Sequence, residues 1–433
     1  MSATSITRIR GRRVWDSRGR PTVEADVELA GGARGRAIAP AGASRGSREA
    51  IDLRDGGSRL GGYDVLRALE NVNGPIAHAL LGRDALDQPG ADATLMALDG
   101  TPNKAKLGGN ATVAVSLAVA QAASAAQQIP LWRYLSAGRD VTMPLPEIQI
   151  FGGGAHAGRR IDIQDLMVMP VGAWTFGDAL AIVAEIYRAA GVLMQDAGKL
   201  AGVADEGGYW PNFASNEDAL EMLVRAIEKA GLRPGDDAAI SLDIAASEFG
   251  RGGRYRLALD DRELDRDGMA EMLLRWIDRY PIASIEDPFA EDDRVGFVAF
   301  TRVAGARVQI IGDDYLTTSA ANVESAAIDH ACNAVLIKPN QAGTLTETRA
   351  ALDAGKRAGF GTIVSARSGE TEDVAIAHLA VGWNAGQLKV GAFARSERMA
   401  KWNECLRIEE ALGAGAAFAG AGALRTKQAG TRG

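Results

Sequence analysis

Three carboxylates and two lysines stand at one recurring place in this chain. Asp243 closes the apolar run AAISLD, Glu286 closes ASIE, and Asp313 follows VQIIG; Lys338 follows AVLI, and Lys389 lies in QLKVGAF. Any one of the carboxylates reads most simply as a helix N-cap, a place Asp favours. Three in phase would repel one another unless a cation sat between them. An all-oxygen ligand set selects Mg²⁺, with Mn²⁺ as the substitute, over zinc. A lysine close to such a cation and to a second lysine loses affinity for its proton and can act as a base. The plain alternative for each lysine is a side chain snorkelling out of its strand.

Three other stretches are dense in unusual residues. VADEGGYWPN places Asp205 and Glu206 before paired glycines, which fits an irregular loop. GGGAHAG sets His156 among small residues that let backbone approach a ligand closely; a lone histidine is otherwise more often structural. VSARSGETED runs an apolar strand into a polar turn in which Arg367, Ser368 and Gly369 could hold an anion. The first residue beyond that strand is Ala366, whose methyl group can bind no anion.

The elements that would position these groups follow from their spacing. Strand ends at 243, 286, 313, 338, 366 and 389 are each separated by enough chain for a helix and two short loops. Repeated strand–helix units predict an α/β fold with a parallel sheet buried on both faces. Six in succession favour a closed barrel over an open doubly wound sheet, and in a barrel the strand ends share one mouth. No G-x-G-x-x-G follows a strand, and there is no Walker loop. Upstream, residues 5 to 55 read as strands, with Thr22 to Leu29 alternating as a half-buried strand should. PAGASRGSRE, from Pro40 to Glu49, reads as a mobile loop, and NATVAVSLAVAQAASAAQ as a buried, closely packed helix. The prolines of VTMPLPEIQI mark a boundary, giving domains 1–138 and 139–433.

Composition narrows the class. The hydrophobic share of 47% and charged share of 24% are those of a globular protein. A net charge of -7 argues against broad nucleic-acid binding. No apolar run suits a membrane span or a signal peptide. Two cysteines, Cys332 and Cys405, fit a reducing, cytoplasmic setting. The four histidines form no metal-binding pair, which argues against structural zinc.

At the level of motifs, DSRGRPTVE, DGTPNKAKLGGNA, SLDIAASEF, SIEDPFAEDD, GDD, IKPNQAGTLTE, RSGETED and ARSERMAK together make the sequence resemble the enolase family over nearly its whole length. The resemblance implies an N-terminal α+β domain, a C-terminal α/β (TIM-type) barrel with atypical early strands, and a homodimer. It implies a hydro-lyase acting on a small anionic, phosphorus-containing substrate. Use of a Lys or His base with one or two Mg²⁺ ions is general in the superfamily. By matched motif, Asp243, Glu286 and Asp313 are implied as ligands of the first Mg²⁺, and Ser44 as reaching a second. Lys338 is implied as the base for the α-proton, Glu206 as the acid at the 3-hydroxyl, and Lys389 as the holder of the substrate carboxylate. Arg367 and Ser368 would bind the phosphoryl group, with His156 and Gln164 lining the site.

The chain also departs from the pattern. Enolases carry histidine where Ala366 stands and glutamate where Asp165 stands. The mobile loop has gained Arg45 and Arg48, the turn after Glu206 carries Tyr209 and Trp210, and Phe393 replaces a small residue. More room and more positive charge imply a larger, more anionic substrate than 2-phosphoglycerate, with a further group on phosphorus that Arg45 and Arg48 would meet. Ordinary enolase activity and a non-catalytic binding protein are the alternatives.

Overall fold

The computed structural model describes residues 2–425; the last residues of the expected second domain, 426–433, lie outside it. Near the N-terminus, β1 (Ile6–Trp15), β2 (Pro21–Leu29) and β3 (Arg34–Ile38) form an antiparallel meander. Helix α1 (Gly109–Ala126) lies on it, buried along nearly its whole length. Its alanines permit close approach: a Cβ on Gly35 of β3 would collide with the backbone of Ala118 and Ala122. The alternation expected of β2 is only partly seen, because Thr22 and Glu24 are buried too, while Asp26 and Glu28 are half-buried. Thr22 donates to the Ala39 carbonyl, and Glu24 is paired with Arg12. Satisfied partners of this kind let polar side chains stay out of water.

Beyond the meander, eight strands close a barrel. In chain order they are β4 (Leu145–Gly152), β5 (Asp165–Met169), β6 (Ala239–Asp243), β7 (Ile282–Glu286), β8 (Gln309–Gly312), β9 (Ala334–Ile337), β10 (Gly361–Ser365) and β11 (Gly386–Ala392). From β6 onward neighbours in sequence are parallel, and β11 closes against β4 in parallel. Only β5 runs the other way, antiparallel to both β4 and β6. Its connections explain this. No crossover helix of ordinary length separates β4 from β5, so the chain turns straight back. Two helices, Phe176–Asp196 and Asn216–Lys229, separate β5 from β6. An even number of helical passes returns the chain to the end it left. The unusually long interval from β6 to β7 holds a small three-stranded sheet (Gly250–Arg251, Arg254–Leu257, Arg262–Asp265) ahead of its helix.

The reversal of β5 serves the site. Its first residue, Asp165, pairs with Asp243 in register and so lies at the same barrel end as the terminal residues of the parallel strands. Beneath that mouth the barrel interior is polar as well as apolar. Gln309 donates to Ser284 and bonds to Gln387, and Ser241 donates to Glu147.

Candidate active site

Asp243 and Glu286 are the last residues of β6 and β7, while Asp313, Lys338 and Ala366 directly follow β8, β9 and β10. Lys389 lies within β11. One buried pocket brings most of the predicted side chains together. Its floor includes Asp165, Asp243, Lys338 and Lys389; its sides include His156, Gln164 and Glu206; its anion wall is Ala366, Arg367 and Ser368. Ser44 lines the same pocket from the N-terminal domain.

The three expected metal ligands do not meet as a bare carboxylate trio. The Lys389 ammonium stands between Asp243 and Glu286, at 2.9 and 2.8 Å, and Lys338 pairs with Asp313. The charges around both lysines favour the protonated form. Burial pulls each downward, but the surrounding carboxylates outweigh it: Lys338 is raised by Asp313, and Lys389 is raised well above its usual value by Asp243, Glu286 and Asp165. Negative charge is nonetheless in surplus. Glu286 is 0% exposed, and its Oε1 has no hydrogen-bond partner. Burial and the nearby Asp243 push its carboxyl well above the usual range. A buried, unpartnered carboxylate oxygen beside two more acidic groups fits a divalent cation. Asp243 and Asp313 are the carboxylates that act on Glu286.

His156 follows β4 in a short helical turn made of small residues. Its Nδ1 lies 2.9 Å from Asp165 Oδ1 and its Nε2 3.8 Å from Glu206 Oε1. Burial lowers the imidazole, but these two carboxylates win and raise it to about 9. Asp165 is correspondingly held below its ordinary value, burial being overcome by His156 and Lys389, and Gln149 also donates to it. Gln164 donates to Asp243 at 3.1 Å.

The anion wall is assembled by contact with the Pro40–Glu49 segment. Arg367 pairs with Glu49 at 2.9 Å and donates to the Ser44 carbonyl at 2.9 Å. The Ala43 amide donates to Ser368 Oγ at 2.6 Å, and Ala41 and Gly369 exchange backbone hydrogen bonds. A Cβ at Gly42 would collide with the Arg367 guanidinium, so only glycine allows this approach. The segment expected to be mobile is therefore docked over the pocket, leaving about 20 Å³ accessible to water.

Not every predicted residue faces the pocket. Arg48 donates to the Tyr315 carbonyl at 2.6 Å, and Arg45 is 54% exposed, 4.0 Å from Asp52. Neither lines the pocket in this conformation. Tyr209 stacks on Tyr187 at 4.5 Å, and Trp210 lies near Gly158, so these bulky residues brace the turn behind Glu206. Phe393 packs against the core.

Several site residues were missed in the sequence. Asp287 follows Glu286 with a left-handed φ of 40°, and its carboxylate accepts the amides of Asp313 and Asp314 at 2.9 and 2.7 Å. A non-glycine residue held in that region signals strain retained at a site. Asp287, Asp313 and Asp314 form one close acidic group, and His156, Asp165 and Glu206 another. The doubled acids of EDP and GDD were the available signal. Glu49 and Glu147 carried none, because each acts through a partner distant in sequence.

The fold and site together define an α/β-barrel protein with a separate N-terminal domain and an acidic, lysine-bearing mouth. The family model for the enolase N-terminal domain matches residues 6–135, and that for the enolase C-terminal TIM barrel domain matches residues 140–427. The chain belongs to the enolase family. That family is one of hydro-lyases, typically Mg²⁺-dependent, that act on phosphorylated substrates. No helix among the described residues is long and apolar enough to cross a membrane.

Proposed function

We propose that this protein dehydrates a glycerate bearing phosphorus at carbon 2, giving an enolpyruvate product. The observation that carries this reading is one closed pocket lined at once by Lys338, Glu206, Lys389, Arg367 and Ser368. Lys338 takes the α-proton, and the C–H electron pair becomes the carbon–carbon double bond. Glu206 gives a proton to the departing 3-hydroxyl, which leaves as water. Lys389 holds the substrate carboxylate, Arg367 and Ser368 hold the phosphorus group, and His156, Gln164 and Asp165 shape the remaining wall. Mg²⁺ held by Asp243, Glu286 and Asp313, with Ser44 toward a second ion, would supply positive charge against the dianionic enolate. The protein acts as a homodimer in this reading.

The finer reading concerns the substrate. Ala366 is 6% exposed and lies beside Arg367 and Ser368, so a methyl group stands where a side chain could have filled space at the phosphorus end. This supports preference for a substrate with a further substituent on phosphorus, the reaction of a carboxyphosphonoenolpyruvate synthase. Ordinary conversion of 2-phosphoglycerate to phosphoenolpyruvate is the second reading, favoured by the complete set of acid, base and anion-holding groups.

The test is exchange of the substrate α-proton with solvent deuterium in Mg²⁺. Wild type should exchange it, and Lys338→Ala should abolish exchange while still binding metal. Persistent exchange in that variant removes Lys338 from the role of base. Parallel turnover of 2-phosphoglycerate and its phosphorus-substituted analogue separates the two substrate readings.

A further inference from the structure

Beside the pocket lies a second, wider cleft that the dehydration chemistry leaves unused. It has about 420 Å³ of water-accessible space against about 20 Å³ in the pocket, and the two share Ala43. Three arginines line it, Arg18, Arg20 and Arg159, against a single lining carboxylate, Asp205. Small residues, Ala155 and Gly158, keep it open.

Arg18 joins the two spaces. Its side chain is 6% exposed, and its Nη1 donates to Ser368 Oγ at 3.3 Å, the same hydroxyl that lines the pocket. Its Nη2 donates to the Ala41 carbonyl at 2.8 Å and lies 3.4 Å from Asp16. Its Nε is buried without a partner. Asp16 offsets its charge only in part, since one carboxylate oxygen accepts the Arg18 and Arg20 amides and the other meets the guanidinium at 3.4 Å. Burial accordingly lowers the proton affinity of Arg18, with Arg20 nearby opposing its charge as well. Arg20 lies against the Tyr63 ring at 4.4 Å and pairs with no carboxylate among the described residues. Among the described residues Arg159 pairs with Glu248 alone, at 2.6 Å on the exposed surface, a setting in which ion pairs contribute little.

We infer that this cleft is a subsite for a second anionic group, a carboxylate or phosphoryl, carried on the phosphorus end of the substrate and received by Arg18, Arg20 and Arg159. The inference rests on the reading of Arg367 and Ser368 as the phosphorus-binding wall. Ser368 stands at the phosphorus end of the pocket, and Arg18, which donates to it, is the next charged group toward the cleft. Arginine forks suit planar, bidentate anions. The same geometry assigns selectivity to these three residues instead of to Arg45 and Arg48, which face away.

The test titrates the full chain, in Mg²⁺, with inorganic phosphate and with phosphonoformate, in which a carboxylate is bonded to phosphorus. Phosphonoformate should bind about tenfold tighter or more, the size of one charge-assisted contact. The ratio of the two affinities should fall toward one in the Arg20→Gln, Arg159→Gln double variant, whose side chains are partly exposed and removable without unfolding the chain. Arg18→Lys, keeping the charge but not the fork, should lower the ratio in part. Arg367→Lys should weaken both ligands together. Equal affinities that both respond to Arg367→Lys would leave the wall reading intact and overturn the subsite. A ratio that survives the double variant would overturn it as well. Failure of either ligand to bind would overturn both readings. Formate binding by itself, as strongly with phosphate absent as present, would make the cleft an independent anion site and overturn its role toward the substrate.

Discussion

At the floor of the pocket, Asp243 and Lys389, with Glu286 behind them against the Lys389 ammonium, belong to strands whose neighbours fix them through ladder hydrogen bonds. The Pro40–Glu49 segment that covers them contains no strand or helix, and it is held by Arg367, Ser368, Gly369 and Tyr315. The floor keeps its geometry whatever occupies the pocket, and it accepts unrelieved charge in return. The wall keeps its geometry only while its contacts last, several of which an incoming anion would contest. Rigid strand ends therefore suit the chemical groups, and a docked segment suits the groups that sort substrates.

The largest expected effect comes from the floor. Glu286→Gln removes one charge from a buried set in which Lys389 is shared between two carboxylates. Breaking a buried charge arrangement costs about 3–5 kcal/mol, so Mg²⁺ affinity measured by calorimetry should fall by about two to four decades. Arg367 faces Glu49 on the wall, and Glu49→Gln should change Mg²⁺ affinity far less. Equal losses in the two variants would erase the distinction between floor and wall, and an unchanged affinity in Glu286→Gln would remove it from the metal site.

Much of the floor was legible in the sequence because the period of the strands and the chemistry of their ends coincide. Asp243, Glu286, Lys338 and Lys389 could be placed from apolar runs that stop at a charged residue. The reversed strand was harder: Asp165 begins its strand, and only the short connection behind it discloses that its first residue sits at the mouth. The wall was legible in composition and not in direction. AGASRGSRE shows two arginines in a loop rich in small residues, but nothing local says which way they point. Arg48 turns outward because a barrel carbonyl, that of Tyr315, is there to accept from it. Conversely, Arg18 and Arg20 stand in DSRGRPTVE far from the barrel sequence, and only tertiary contact with Ser368 carries them to the site.

A smaller effect measures what the floor costs in stability. Glu147 is fully buried under the mouth, accepts from Ser241 at 3.0 Å, and leaves Oε1 without a partner. Burial raises its carboxyl to about 7, with Lys389 acting in the opposite direction. The folded state thus holds this proton more tightly than the unfolded state does, where the carboxyl is near its ordinary value. The contribution to stability is full at low pH and is lost as pH rises from about 4.5 to about 7. At about 1.4 kcal/mol per unit, the loss is about 3 kcal/mol. Glu147→Gln cannot ionise, so chemical unfolding of the metal-free protein at pH 5 and pH 8 should show wild type losing stability relative to the variant by that order. A wild-type-minus-variant difference that does not change with pH would mean that the barrel interior solvates this carboxylate.

The smallest expected effects lie on the wall, and they separate its inward from its outward residues. Ala366 donates its amide to the Lys389 carbonyl at 2.9 Å, which ties its position to the floor while its methyl group faces the pocket. In so little free volume, Ala366→His must occupy space that a substituent on phosphorus would need. Exclusion sets selectivity as much as attraction does, and one displaced group is worth about 1–3 kcal/mol. The ratio of kcat/KM for a phosphorus-substituted glycerate over 2-phosphoglycerate should therefore fall about tenfold or more. Arg45→Thr removes a charge that is exposed and at the limit of pairing with Asp52, where such changes are within about 0.5 kcal/mol. It should move the same ratio by about twofold or less. A shift with Arg45→Thr as large as that with Ala366→His would mean that the segment closes further around substrate and swings Arg45 inward. The wall would then sort substrates by moving, and the outward pose of Arg45 would belong to the resting state alone.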